Sequence, residues 1–273
     1  MEKSQRNERI AVIMKVLSDS PSKILTYNIF SKMFGSAKST ISEDVEILGN
    51  IVNRFELGNV ETISGASGGV RFVPTLSATM KDQIIDSFCK ELSKKERILS
   101  GGYLYMLDLI YEPNTVSEIG KIFCEQFFAL GIDYVITVET KGIPLAFITA
   151  KYLNVPLVIV RHLNEATDGA SVNINYVSGS SNKIQTMVLS IKALKRNSRL
   201  LFVDDFMKGG GTAKGIIDLA KEFDCEVVGI GVLIETILPK KKLVDTFYSL
   251  LTLNNADGDN GKIEIMPSNT ENF

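Results

Sequence analysis

The run Leu200-Leu201-Phe202-Val203-Asp204-Asp205-Phe206-Met207-Lys208-Gly209-Gly210-Gly211-Thr212 passes from apolar residues to two carboxylates, a lysine, three glycines and a threonine. Its opening reads as a buried parallel strand. A helical apolar pattern follows at Ala213, Ile216, Ile217, Leu219 and Ala220. A strand feeding a glycine-rich turn and then a helix start makes a phosphate cradle. Glycines let the backbone approach closely, successive N–H groups point inward, and the helix start adds positive potential. The paired acids would repel a bare phosphate, but they accept hydrogen bonds from ribose hydroxyls. The whole pattern therefore asks for a ribose 5-phosphate.

Working outward, Tyr134–Val138, Val155–Arg161, Thr186–Leu189 and Glu226–Ile234 read as further strands, and residues 79–97 and 115–130 as helices. Strands alternating with helices predict a parallel α/β sheet. Thr140-Lys141-Gly142 follows the first of these strands as a second loop able to offer backbone amides. Ser100-Gly101-Gly102 marks a turn before Tyr103, which is read as a packing residue with a ligand-facing role as the alternative. Residues 163–184 are polar and read as a long loop, and the tail Asn254–Phe273 as peripheral.

Residues 1–75 follow a different pattern. Ile10, Ile13, Met14 and Leu17 recur at helical spacing. Thr26 suits the cap of a second helix bearing Tyr27, Phe30 and Phe34 and stopped by Gly35. Ser36 or Ser39 then caps a third, with Ile41, Val45 and Leu48 on its buried side. Val60–Ile63 and Val70–Val73 flank a glycine-rich turn, which is a hairpin. Three short helices and a hairpin predict a winged helix-turn-helix. Lys38, Ser39, Thr40 and Ser42 then face the major groove, Arg71 lies along the backbone, and Arg6 and Arg9 complete the DNA-facing set. A protein–protein module is the alternative, since Glu43, Asp44 and Glu46 are poorly suited to lie near phosphate.

A chain of 273 residues, 45% hydrophobic and 23% charged, has an ordinary globular composition. Its formal net charge of −2 excludes a protein that is basic throughout. Residues 1–75 hold 9 Lys/Arg against 8 Asp/Glu, and the rest 21 against 24, which leaves the N-terminal part nearer to DNA in sign. Cys89, Cys124 and Cys225 are scattered and odd in number, so they predict reduced core residues in a cytoplasm, with no disulfide framework or metal site. His162 is the only histidine, which excludes His-based triads. No signal segment and no long apolar run is present, so no membrane partner is expected.

The Asp204–Thr212 run resembles the phosphoribosyl pyrophosphate (PRPP) fingerprint of type I phosphoribosyltransferases, with Gly209 in place of the usual first threonine and Lys208 where a small residue is usual. The resemblance implies a PRPP set of Asp204, Asp205, Phe206, Met207, Lys208, Gly209, Gly210, Gly211 and Thr212. It adds Thr140, Lys141 and Gly142 as a pyrophosphate loop, Arg161 as a basic contact, and Tyr103. His162 departs from the basic pair usual beside Arg161. The layout as a whole resembles the purine operon repressors of Gram-positive bacteria. Ser39–Val45, Gly65–Val70, Gly101–Tyr103, Val172–Ser181 and Asp204–Gly211 carry that likeness. It implies a winged helix over 1–75 and a phosphoribosyltransferase-like effector domain over 76–273. It also implies a homodimeric, cytoplasmic, non-catalytic repressor of purine genes, bound to double-stranded DNA of purine operon control regions. PRPP is then the inducer, with Mg²⁺ as its companion and a guanosine tetraphosphate-type nucleotide as its competitor. The alternative is an active purine phosphoribosyltransferase with an added regulatory domain.

Overall fold

The computed structural model describes residues 4–65, 68–99, 103–164, 169–177, 184–257 and 262–268. The chain divides into two compact units, one built on Met1–Ala78 and the other on Thr79–Ala150 with Val155–Phe273. No helix among the described residues is long and apolar enough to cross a membrane.

In the first unit, α1 (Arg6–Asp19) opens with the Glu8 carboxylate accepting from the Gln5 amide at 2.8 Å, which satisfies one amide at the helix start. Ile13 and Leu17 are fully buried beneath it. Helix α2 (Tyr27–Phe34) follows Thr26 and ends at Gly35, whose φ of 61° is the left-handed stop that glycine supplies. Helix α3 (Lys38–Arg54) is longer than expected, at 17 residues. Its cap is Ala37, with no side-chain cap, rather than Ser36 or Ser39; Ser39 lies inside the first turn. Ile41, Val45, Leu48 and Val52 form its buried stripe.

Strands β1 (Asn59–Ile63) and β2 (Gly69–Val73) pair antiparallel, with Asn59 opposite Val73. Leu25 and Val70 exchange both backbone hydrogen bonds and fasten the hairpin to the start of α2. A Cβ on Gly69 would stand 2.3 Å from the Leu25 carbonyl oxygen, so only glycine permits this approach. The wing residues Ala66 and Ser67 fall outside the described residues.

The second unit begins with α4 (Ala78–Leu92), which stops short of the expected residue 97. A single 3-10 turn, Lys95–Arg97, and a two-residue ladder of β3 (Ile98–Leu99) with β4 (Tyr103–Leu104) follow. Arg97 explains the early stop. Its buried guanidinium turns back to the Glu91 carbonyl and carboxylate and to both oxygens of Asp108. Helix α5 (Leu107–Ile110) leads to α6 (Pro113–Phe127), whose first amides donate to the Glu112 carboxylate.

The sheet then forms from β5 (Tyr134–Val138), β6 (Leu157–Val160), β9 (Arg199–Met207), β10 (Glu226–Thr236), β11 (Tyr248–Asp257) and β12 (Lys262–Pro267), with α7 (Ile143–Leu153) and α8 (Gly211–Glu222) as connecting helices. Spatial order is β12-β11-β10-β9-β5-β6, parallel except for β12. Residues 254–257 and 262–267 are therefore sheet rather than a peripheral tail.

The expected loop at 163–184 is corrected as well. Strand β7 (Ser171–Val177) pairs antiparallel with β8 (Ile184–Ser190) as a separate ribbon, so Thr186–Leu189 does not rejoin the central sheet. The tip, residues 178–183, lies outside the described residues. On β10, Gly231 allows α6 to lie close, because a Cβ there would come 2.8 Å from the Phe127 ring.

Candidate functional site

Chain direction explains where a ligand can sit. From β5 the chain steps to β6 on one side, and from β9 it steps to β10 and β11 on the other. The order reverses between β5 and β9, and a crevice opens outside the carboxyl ends of two strands that part there. The Thr140–Gly142 loop leaves β5 and the Asp204–Thr212 run lies on the end of β9 and the start of α8. Both loops singled out by sequence thus flank that crevice.

Gly210 has a φ of 78° and precedes α8 directly. The first-turn amides of α8 have no partners within the helix, and they point towards the turn. The turn is braced from the far side. Leu243 donates its amide to the Gly209 carbonyl at 2.9 Å, and Lys242 Nζ donates to the Lys208 carbonyl at 2.6 Å and also to that of Thr236. Burial lowers the Lys242 pKa, with the nearby Glu235 opposing. Lys242 was not singled out from sequence, because its partners are backbone carbonyls that only the fold gathers. Lys208 itself is exposed.

The carboxylates lie close to the other loop. A Cβ on Gly142 would meet Asp204 Oδ1 at 2.6 Å and Thr137 Oγ1 at 2.9 Å, so the two loops touch through a glycine. Asp204 Oδ1 accepts from the Asp205 amide at 2.9 Å. Burial, and then the Asp205 charge, push the Asp204 carboxyl well above the usual carboxylate range. Burial also raises Asp205, against the pull of Lys141. Groups perturbed this way in a crevice mark functional sites. Gly142→Ala is expected to displace Asp204 and weaken ligand binding by about tenfold or more, at an overpacking cost of roughly 1–3 kcal/mol. Calorimetric titration measures this, and wild-type affinity would remove Gly142 from the site.

Arg161 follows β6, next to the same crevice, and its backbone bridges to Val188 of β8. The His162 amide donates to Glu139 Oε1 at 2.6 Å, and its Nδ1 lies 3.0 Å from the Thr186 carbonyl. His162 thereby ties the β5 loop to β8. The Glu139–Thr140 peptide is cis. Tyr103 is 68% exposed, so packing is not its role. Tyr176, which sequence also passed over, is buried on β7.

In the first unit, Lys38, Ser39 and Ser42 are exposed on the first turns of α3, and Thr40 is half-buried. A helix start with a lysine suits phosphate. Arg6 is exposed and reaches Glu43 at 3.3 Å. Arg71 pairs with Glu61 across the hairpin, with Nε donating to Oε2 at 2.6 Å.

Arg9 departs from expectation. It is 6% exposed, and its Nε and Nη2 donate to the two oxygens of Asp44 at 2.6 and 3.1 Å. Arg9 joins α1 to α3 and does not face DNA. The same bond removes the objection to Asp44, a fully buried carboxylate that presents no charge to a phosphate.

Two family descriptions match these units. Residues 5–74 match the bacterial purine repressor N-terminal domain, and residues 108–265 the phosphoribosyl transferase domain. The purine biosynthesis transcriptional repressor PurR of Bacillus subtilis is 43% identical over 271 residues, 99% of this chain and 95% of its own length. The purine biosynthesis transcriptional activator PurR of Lactococcus lactis is 37% identical over 268 residues, covering 98% of this chain and 99% of its own. Among solved structures, the adenine phosphoribosyltransferase of Rhodothermus marinus superposes on 63% of this chain and 99% of its own, with a TM-score of 0.53 and 21% identity, which concerns the fold alone. An N-terminal purine-repressor unit joined to a phosphoribosyltransferase-type sheet, alike over nearly its whole length to purine regulators, places the chain in the PurR family of purine biosynthesis transcriptional regulators.

Proposed function

We propose that the chain represses purine synthesis genes and that PRPP, bound in the crevice between β5 and β9, releases it from DNA. One observation carries this reading. The crevice combines ribose-type acceptors, Asp204 and Asp205, with a glycine turn at a helix start, while the other unit is a DNA-binding family domain. In this reading the ribose hydroxyls donate to Asp204 and Asp205, the 5-phosphate takes the amides from Gly209 to Thr212, and the pyrophosphate takes Thr140–Gly142, Lys141 and Arg161. Phe206, Met207 and Lys208 complete the wall, and Tyr103 is exposed and available to the ligand.

Among the described residues no group of three or more His, Cys, Asp or Glu side chains could hold a metal alone. Mg²⁺ would therefore arrive on PRPP oxygens, with Asp204 and Asp205 as its oxygen-donating neighbours, and would supply charge neutralisation for the pyrophosphate. A guanosine tetraphosphate-type nucleotide also carries phosphoryl groups on a ribose, at different positions, and would compete for the crevice. The protein works as a homodimer in the cytoplasm. The site senses and does not transfer, which fits its likeness to regulators. Repression is preferred to activation because the relative named a repressor is the more similar of the two reported.

Release is linkage. PRPP must bind the DNA-free state more tightly, and DNA must weaken PRPP by the same factor. Lys38→Ala is expected to weaken binding to a purine operon control region, reduce the salt slope by about 1, and leave PRPP affinity unchanged. Fluorescence anisotropy across a salt series reads this, and an unchanged slope would remove Lys38 from the phosphate contacts. Incubation with PRPP and each purine base in turn is expected to yield no nucleotide; nucleotide formation would establish the enzyme instead.

A further inference from the structure

The phosphate turn owes its direction to a segment that carries no motif of its own. Residues 240–242 are three consecutive lysines in the chain after β10. Lys240 and Lys241 are exposed, but Lys242 is half-buried and folds back behind the turn. Its ammonium donates to the Lys208 carbonyl at 2.6 Å, and to the carbonyl and hydroxyl of Thr236 at the end of β10. The next residue, Leu243, donates its amide to the Gly209 carbonyl at 2.9 Å. Gly210 makes the approach possible, because a Cβ there would stand 3.2 Å from the Leu243 nitrogen.

The Lys208 and Gly209 carbonyls are thus both held on one side of the turn. In a planar trans peptide the N–H points opposite to the C=O. The Gly209 and Gly210 amides therefore point away from residues 242 and 243, towards the cavity lined by Asp204, Phe206 and Gly209–Thr212. Among the described residues neither amide has a hydrogen-bond partner. An ammonium on the Lys208 carbonyl also polarises that peptide, which makes the Gly209 N–H a stronger donor. The hydrogen-bond partners of Lys242 are neutral oxygens, so its charge adds to the potential that an anion meets in the cavity. Glu235 on β10 opposes that charge in part.

We propose that Lys242 is a positioning residue for an anionic ligand: it fixes two adjacent turn amides in the direction of the cavity and adds a positive charge behind them. It touches no ligand itself. The group it serves is the phosphoryl group of a phosphate ester, seated on the Gly209 and Gly210 amides. The inference rests on the phosphate reading of Gly209–Thr212 and adds the residue that prepares it.

The test uses the full-length protein, with PRPP and ribose 5-phosphate as probes, the second carrying the phosphate without the pyrophosphate. Calorimetry gives the affinities, and amide NMR with glycine-selective labelling follows Gly209 and Gly210. In the wild type, both ligands are expected to move the two amide protons downfield. Lys242→Met is expected to shift these resonances before any ligand is added and to weaken ribose 5-phosphate by about tenfold. Lys242→Gln keeps a neutral donor and is expected to fall between the two. Lys242→Arg restores charge and donor, and is expected to recover affinity to within about threefold of wild type. Wild-type affinity in Lys242→Met, or in Lys242→Gln should the first not fold, would overturn the proposal. Equal weakening in Lys242→Met and Lys242→Arg, with both glycine resonances at their wild-type positions, would do the same, since it marks a packing defect. Gly209 and Gly210 amides that ignore both ligands in the wild type would instead bring down the phosphate site itself.

Discussion

Asp44→Ala is expected to cost about 3–5 kcal/mol, because it leaves the Arg9 guanidinium buried without its partner. The pair is bidentate and almost sealed from water, with Asp44 wholly buried and Arg9 6% exposed. Hydrogen bonding to Asp44, opposed by burial and helped by the Asp44 charge, raises the Arg9 pKa, so Arg9 cannot shed its proton to escape the cost. A small domain has roughly 5–15 kcal/mol in all, so this one change removes much of the stability of the N-terminal unit. It also loosens α3 from α1 and so disorders the DNA-facing helix.

Urea unfolding followed by a probe in residues 1–78 measures the loss, and DNA binding should fail while PRPP binding persists. Arg9→Met combined with Asp44→Leu should recover most of the stability, since an apolar pair of similar volume carries no desolvation cost. A single variant as stable as wild type would show that water reaches the pair.

Asp204→Asn is expected to do two opposite things. Hydrogen bonds from the ribose hydroxyls favour the ionised carboxylate in the complex, so the change removes a charge-assisted acceptor worth about 1.5–3 kcal/mol and weakens PRPP by roughly 10- to 150-fold. DNA binding without PRPP should be unchanged, and the protein no longer induced. It should also stabilise the ligand-free protein at neutral pH. Burial, then Asp205, raises the Asp204 pKa, so the folded state holds this proton after the unfolded chain has lost it. Stability therefore falls as pH rises from the ordinary aspartate value towards the folded one. Asparagine abolishes that dependence. Thermal midpoints at pH 5 and pH 8 read it out: the wild type should lose more than the variant between them, and equal losses would contradict the assignment.

Features with local causes were legible in the sequence. Thr26 and Gly35 bracket α2 as expected, Gly35 through its left-handed φ and Thr26 by position alone, without a side-chain cap bond. Tyr134–Val138 is β5 to the residue, since a buried parallel strand is one apolar run. The glycine turn and its carboxylates declared the crevice because their chemistry is contiguous.

Misreadings arose where the cause is distant. Arg9 looked like a surface cation because Asp44, its partner, is 35 residues away. Lys94, Lys95 and Arg97 have good helical propensity, yet Arg97 folds back to Asp108 and ends the helix. The ribbon was hidden by composition. Val172, Ile174 and Tyr176 alternate with Asn173 and Asn175 at a strand's period of two, but the asparagines and the Ser-Gly run after them read as loop. The last two strands were obscured in the same way by Asn254, Asn255 and Asp257, which lie at the polar end of β11.

The most direct test of the account is the affinity of the full-length protein for a fluorescent purine operon control region, titrated with PRPP and Mg²⁺. Tight binding released by PRPP, and not by ribose 5-phosphate at the same concentration, is the predicted result. Binding that is indifferent to PRPP while calorimetry shows PRPP bound would contradict it, because the crevice would then be occupied without any linkage to DNA.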